Sequence, residues 1–244
     1  MNLDRLRRAY PGRRIDYHAS VASTMIAAAG LPKGSIVIAG EQTAGQGRHG
    51  HAWHSEPGAG LYCTFVLDLP LPPEAMPTVT LALGLAASAA VREAAGVACD
   101  IRWPNDVMVG RRKLAGILVQ MSGGAPIAGI GVNLNHAAFP AEISALATSL
   151  RIETGRQFTR EAVLAALVPA VDRECRTLAE QGRAAILERF AAASSYVSGK
   201  RVAVALAEGE VIGTTAGLDP AGFLRLRRDD GAEILVLAGG VREL

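Results

Sequence analysis

Two opposite charges, Asp106 and Lys113, stand in an otherwise largely apolar stretch, RWPNDVMVGRRKLAGILVQ over Arg102–Gln120. Val107–Val109 and Ile117–Val119 are β-branched runs suited to strands, and Gly110 with Arg111 and Arg112 suits a tight turn between them. Such a hairpin folds Asp106 and Lys113 back toward each other. An unpaired charge buried among apolar neighbours costs several kcal/mol, so the two imply either a mutual ion pair or a charged ligand.

A second chemical feature is the stretch from Gly45 to Gly60, rich in Gly, His and Ser and without apolar period. Gly45, Gly47 and Gly50 match the GxGxxG pattern of dinucleotide-binding loops. That pattern needs a helix to open at its end, whereas Leu61–Leu67 reads as a strand, so a nicotinamide site is not expected. The loop still exposes backbone N–H groups, and Arg48 between the glycines offers a planar fork for carboxylate or phosphate. His49, His51 and His54 form an HxHxxH run. Glycine-rich backbone would not preorganise them, no carboxylate or cysteine at a recognisable ligand spacing completes the set, and no metal site is expected. Cys63 sits in mid-strand with nothing near to acidify it, and no GxSxG elbow occurs, which argues against covalent catalysis. Trp53 and Trp103 flank the charged motifs, where an indole suits either the core or the face of a planar ligand.

These residues need a scaffold. The 244 residues, half of them hydrophobic, suffice for one sizeable core and a small satellite domain. A net charge of +2 without a basic run makes nucleic acid a poor partner, and three cysteines without metal-like spacing suit a reducing compartment. No apolar leader is visible at the start, and no segment reads as a membrane span, so cytoplasmic is the expected location. Ser20–Ala29 reads as a helix capped by Ser23 or Thr24, Ser35–Ala39 as a buried strand, Thr80–Ala95 as a core helix and Ile127–Leu134 as a buried strand. Thr159 caps a long helix that Pro169 is expected to kink. From Gly199, short alternating strands between Gly and Asp turns predict a small all-β barrel. The fold class is therefore α+β, with domains at 1–196 and 197–244.

Taken together and in order, Ser23-Thr24, the loop EQTAGQGRHGHAW, the hairpin RWPNDVMVGRRKLAGILVQ and the strand GIGVNLN resemble the biotin–protein ligases. The C-terminal module is similar to the SH3-like domain of that family. The resemblance implies a mixed sheet packed by helices, of the class II synthetase-like kind shared by biotin and lipoate ligases. The short stretch before Ser23 leaves no room for the helix-turn-helix of the repressor members, so the monofunctional type is expected. Biotin and ATP are then the substrates, Mg²⁺ accompanies ATP, and a biotin carboxyl carrier protein receives the biotin. Whether the chain acts as monomer or homodimer stays open.

The resemblance also implies roles. Lys113, Arg48 and Asp106 take the catalytic positions. Ser23, Thr24, Met25, Gln42, Gln46, Gly47, Arg48, Lys113, Gly116 and Ile117 match biotin-binding positions, and Arg48, Trp53, Asn105, Lys113 and Asn133 match nucleotide-binding ones. Asp106 is assigned either to the incoming carrier lysine or to Mg²⁺. The family loop reads close to GRGRxGR, whereas here Gln46 and His51 replace the first and third arginines and only Arg48 is kept. Weaker ligand retention with preserved activity is the expected consequence. The alternative functions are a lipoate–protein ligase and a non-catalytic biotin-binding protein.

Overall fold

The computed structural model describes residues 1–70, 72–206 and 209–244. In chain order these form α1 (Leu3–Ala9), β1 (Ile15–His18), α2 (Thr24–Ala28), β2 (Ile36–Ala39), β3 (Gly60–Val66), α3 (Met76–Ala95), β4 (Asp100–Arg102), β5 (Asp106–Val109), β6 (Arg112–Ser122) and β7 (Ala125–Asn133). They continue with α4 (Leu150–Thr154), α5 (Arg160–Ala193), β8 (Ser198–Leu206), β9 (Gly209–Leu218), β10 (Leu224–Arg227), β11 (Glu233–Val236) and β12 (Gly240–Glu243). β1 to β7 make a seven-stranded sheet in the order β1-β2-β3-β7-β6-β5-β4. Among the described residues the β1–β2 pair is the one parallel strand pair, so the sheet is mixed.

Period-two burial sorts the side chains of this sheet. Ile36, Ile38, Leu61, Cys63, Phe65, Ala115 and Ile117 face the large core with α3 and α5, while Val37 and Val66 join Met25 and Ala28 of α2 on the opposite face. α3 starts a turn earlier than the Thr80 expected, because Pro77 in its first turn gives up an N–H that has no intrahelical partner anyway. By length and composition α3 could cross a membrane, which corrects the expectation that no segment could; 67% of its apolar window is buried inside the protein. The break in α5 falls at Gly182 (φ 79°), not at Pro169. Pro169 costs only the donor to the Ala165 carbonyl, which the Tyr10 hydroxyl approaches at 3.5 Å. At Gly182 the chain reverses sign of φ, and the buried Glu174 carboxylate clasps Arg189 across the break at 2.6 Å.

β8 to β12 form an antiparallel sheet in the order β11-β10-β9-β8-β12. This is the small β module expected after the main domain; among the described residues no pairing joins β11 to β12. It shares the main core through Val202, Val204, Leu224 and Leu226. The Trp103 indole N–H donates to the Gly222 carbonyl at 2.9 Å, which fixes this indole as a core strut under the hairpin.

Candidate active site

The hairpin is built as its residues dictate, with one irregularity that decides its chemistry. Gly110 takes φ +56° in a two-residue turn, and Asp106 pairs with Gly116 and Val107 with Ala115. The register then slips, so Met108 pairs with Lys113. In a regular strand Lys113 and Gly116, three apart, would point to opposite faces. The bulge sends Leu114 and Ala115 both into the core and turns Lys113 to the face of Gly116. A Cβ at position 116 would lie 2.9 Å from Lys113 Cε.

Lys113 Nζ lies 2.5 Å from Asp106 Oδ1, and Arg102 holds Oδ2 at 2.6 Å. Burial pushes the Asp106 carboxyl up, but the two cations outweigh it and hold it below the usual aspartate range. Both of its oxygens stand at ion-pair distance from a cation, Oδ1 without a hydrogen bond of regular geometry among the described residues. On its other side Lys113 Nζ stands 5.2 Å from the centre of the Trp53 ring, a cation–π distance.

Backbone hydrogen bonds lock the Pro104–Asn105 corner. Ile117 N donates to the Asn105 carbonyl at 3.0 Å, and the Asn105 side-chain amide returns the bond to the Ile117 carbonyl at 3.0 Å. The remaining oxygen of that amide accepts from Arg48 at 3.2 Å. Among the described residues this is the one side-chain hydrogen bond of Arg48, and burial lowers its pKa while Asp106 opposes the shift.

The glycine loop is a small hairpin. Gln46 bridges Ala52, Gly47 N donates to the His51 carbonyl at 2.7 Å, and His49 turns the tip at φ +55°. It opens no α-helix, as the sequence required for rejecting a dinucleotide fingerprint. Its far end lays the Trp53 indole over two glycines that pair across β6 and β7, Gly116 and Gly131. A Cβ at position 131 would sit 2.5 Å from Trp53 Nε1, so only glycine admits the ring here. The indole N–H is buried without a hydrogen-bond partner among the described residues, which leaves a donor for a ligand.

On the other side of the cleft Ser23 caps α2, accepting from Met25 N at 3.2 Å. Thr24 donates through both its N–H (2.8 Å) and hydroxyl (3.0 Å) to Gln42 Oε1, and Gln42 Nε2 donates to Ser55 at 3.0 Å. Met25 Sδ occupies the space freed by Gly129.

One cavity of about 50 Å³ is therefore lined by Ser23, Thr24, Met25, Gln42, Gln46, Gly47, Arg48, Trp53, Asn105, Lys113, Gly116 and Ile117. These twelve are all the predicted site residues but two. Asp106 stands behind Lys113 rather than on the wall. Asn133 does not border the cavity, since its amide donates to the carbonyls of Thr148 (2.9 Å) and Lys113 (3.4 Å), and the structure gives it a backbone-bracing place under the lysine. Sequence reasoning missed Tyr62 and Gly131 in the wall and Ser55 and Arg102 behind it. The glycines at 129 and 131, which interrupt the apolar strand Ile127–Leu134 and so mark close backbone approach, are the one signal of it in the sequence.

Residues 12–136, which hold every element of this cleft, match the Biotin/lipoate A/B protein ligase family, and residues 197–241 match the Biotin protein ligase C terminal domain. The chain belongs to the biotin/lipoate protein ligase family. Within it, the chain is 32% identical over 231 residues to the biotin–acetyl-CoA-carboxylase ligase of Paracoccus denitrificans, covering 89% of this chain and 94% of that one. It is 31% identical to the bifunctional ligase/repressor BirA of Bacillus subtilis, over 90% of this chain and 71% of the relative. Among solved structures, a biotin protein ligase from Aquifex aeolicus in complex with biotin and ATP superposes with a TM-score of 0.84 at 29% identity, covering 95% and 99% of the two chains.

Proposed function

We propose that this chain is an ATP-dependent biotin–protein ligase. A carboxylate oxygen of biotin attacks the α-phosphorus of ATP, carried with Mg²⁺; the bond to pyrophosphate breaks, giving biotinyl-5′-adenylate. The amine of a lysine on a biotin carboxyl carrier protein then attacks the acyl carbon, AMP leaves, and an amide forms. The observation that carries this reading is the Lys113 ammonium, turned by the bulge into a cleft beside a half-buried arginine and an indole N–H without a hydrogen-bond partner among the described residues.

The first step brings two anions together, so its transition state gathers negative charge that a fixed cation stabilises. Lys113 takes that role, with its position set by Asp106 rather than by solvent. Arg48, on the loop, reaches carboxylate and phosphate and closes the site to water. Thr24, Gln42 and Ser23 meet the polar ring of biotin, and Met25 and Ile117 its apolar part. Trp53 offers its face to the adenine. Asp106, held anionic between two cations with one at ion-pair distance from each oxygen, suits a positioning role better than that of a base or Mg²⁺ ligand.

Labelled biotin should pass to a purified carrier domain only with MgATP, and lipoate should not replace it. Transfer that proceeds equally in wild type and Lys113→Ala would overturn the role given to Lys113. Preferential transfer of lipoate would overturn the substrate.

A further inference from the structure

Outside the cleft, at the outgoing end of the glycine loop, three potential ligands converge from distant parts of the chain. His54 and Glu56 follow Trp53, and His136 comes from the segment after β7. One ligand atom from each lies within 4.8 Å of the others. His136 is 1% exposed, and neither of its ring nitrogens has a hydrogen-bond partner among the described residues. A buried imidazole normally satisfies at least one nitrogen, so this ring lacks a partner that its surroundings do not supply.

The ring is also held in place. It stacks on Phe139 with centroids 4.8 Å apart and planes 20° from parallel, and its backbone carbonyl accepts from the Ser149 hydroxyl at 2.7 Å. His54 and Glu56 reach solvent and face each other at 4.0 Å. The Tyr62 hydroxyl anchors the Glu56 carbonyl at 3.0 Å.

We propose that His54, Glu56 and His136 bind one divalent transition-metal ion, of the Zn²⁺ class. Two imidazoles and a carboxylate are a borderline donor set, and solvent completes the coordination on the exposed side. Ligand atoms around such an ion stand roughly 3.4 Å apart, given metal–ligand lengths of 2.0–2.2 Å. The two exposed side chains supply the small closure from the present spacing, while His136 stays fixed. The expectation that the histidine run holds no metal considered His54 together with His49 and His51; its partners are instead Glu56, two residues on, and a histidine 82 positions away in sequence. A bound ion would tie the loop end that carries Trp53 and Ser55 to the body of the protein. The site stands or falls separately from the ligase reading.

The test uses the full, tag-free chain after chelator treatment, titrated with Co²⁺ and followed by its visible d–d absorption, with Zn²⁺ competing. One Co²⁺ per chain, displaced by Zn²⁺, is expected, with binding weakened at least about tenfold in Glu56→Gln and in His54→Gln. The double variant His49→Gln/His51→Gln should bind as wild type does. Both informative substitutions are at exposed positions, so folding does not confound them. No binding, or binding unaltered by Glu56→Gln and His54→Gln, would overturn the proposal, as would binding lost with His49 and His51.

Discussion

The hairpin β5–β6 and the glycine loop each contribute one cation to the same cleft, but they hold it differently. Lys113 sits in a paired strand, fixed by a bulge, with its charge balanced by Asp106 and its carbonyl bonded by Thr148 N at 3.0 Å. Arg48 sits on a short loop hairpin whose tip is exposed, and among the described residues one side-chain hydrogen bond, to Asn105, ties it down. For the proposed reaction, this would leave the lysine preorganised for developing charge and the arginine freer to move as ligands enter and leave. Substitutions on the hairpin should accordingly change the rate of chemistry, and those on the loop should change retention.

The largest effect should come from Lys113→Ala, with adenylate formation slower by about 10²–10³-fold in a single-turnover assay, because a fixed charge stabiliser is removed. Biotin affinity should change far less; an equal loss in both would erase the distinction between the two regions. Next comes Asp106→Asn, which leaves Lys113 and Arg102 without a counterion and should cost about 2–3 kcal/mol of stability by chemical denaturation. This difference has a defined pH range. The two cations hold the folded carboxyl below the ordinary value, about 3.9, so its stabilisation is complete above that value and lost as pH falls through the lower folded-state value. The gap between wild type and Asp106→Asn should thus stay constant from neutral pH down to about pH 4 and shrink only below it.

On the loop, Gln46→Arg restores one charge-assisted hydrogen bond, worth about 1.5–3 kcal/mol, and should slow adenylate release about tenfold or more without raising the single-turnover rate. Unchanged release would mean that the loop already holds its ligand fully. The smallest effect is expected for Gly131→Ala, where the new Cβ meets the Trp53 indole. The ring must shift, and KM for ATP should rise about five-fold, the equivalent of ~1 kcal/mol, with biotin binding little changed.

Much of this cleft was legible in the chain because its signals are local. Alternating apolar residues, Gly110 in the turn, Ser23 before α2 and Thr159 before α5 each act within a few residues, and the elements formed where these signals lie. Asn133 could not be resolved from sequence because a buried amide can serve a ligand or the backbone, and its bonds to the carbonyls of Thr148 and Lys113 are visible only in the fold. Strands β1 (IDYH) and β12 (GVRE) carry no apolar run of their own, and pairing with β2 and β8 holds them extended. The kink expected at Pro169 moved to Gly182 because a missing donor is cheaper to accommodate than a sign change in φ, and Glu174 with Arg189 braces the latter.

By itself, then, the sequence determined a mixed α+β scaffold, an Asp–Lys hairpin and an arginine-bearing glycine loop, since hydrophobic period and turn chemistry act over short range. Tertiary structure decided where those groups point. A one-residue slip in strand register placed Lys113 on the face of Gly116, glycines paired across two strands made room for Trp53, and the end of β7 brought His136 to His54 and Glu56. Register and long-range approach depend on how whole elements pack, and no local pattern in the chain encodes them.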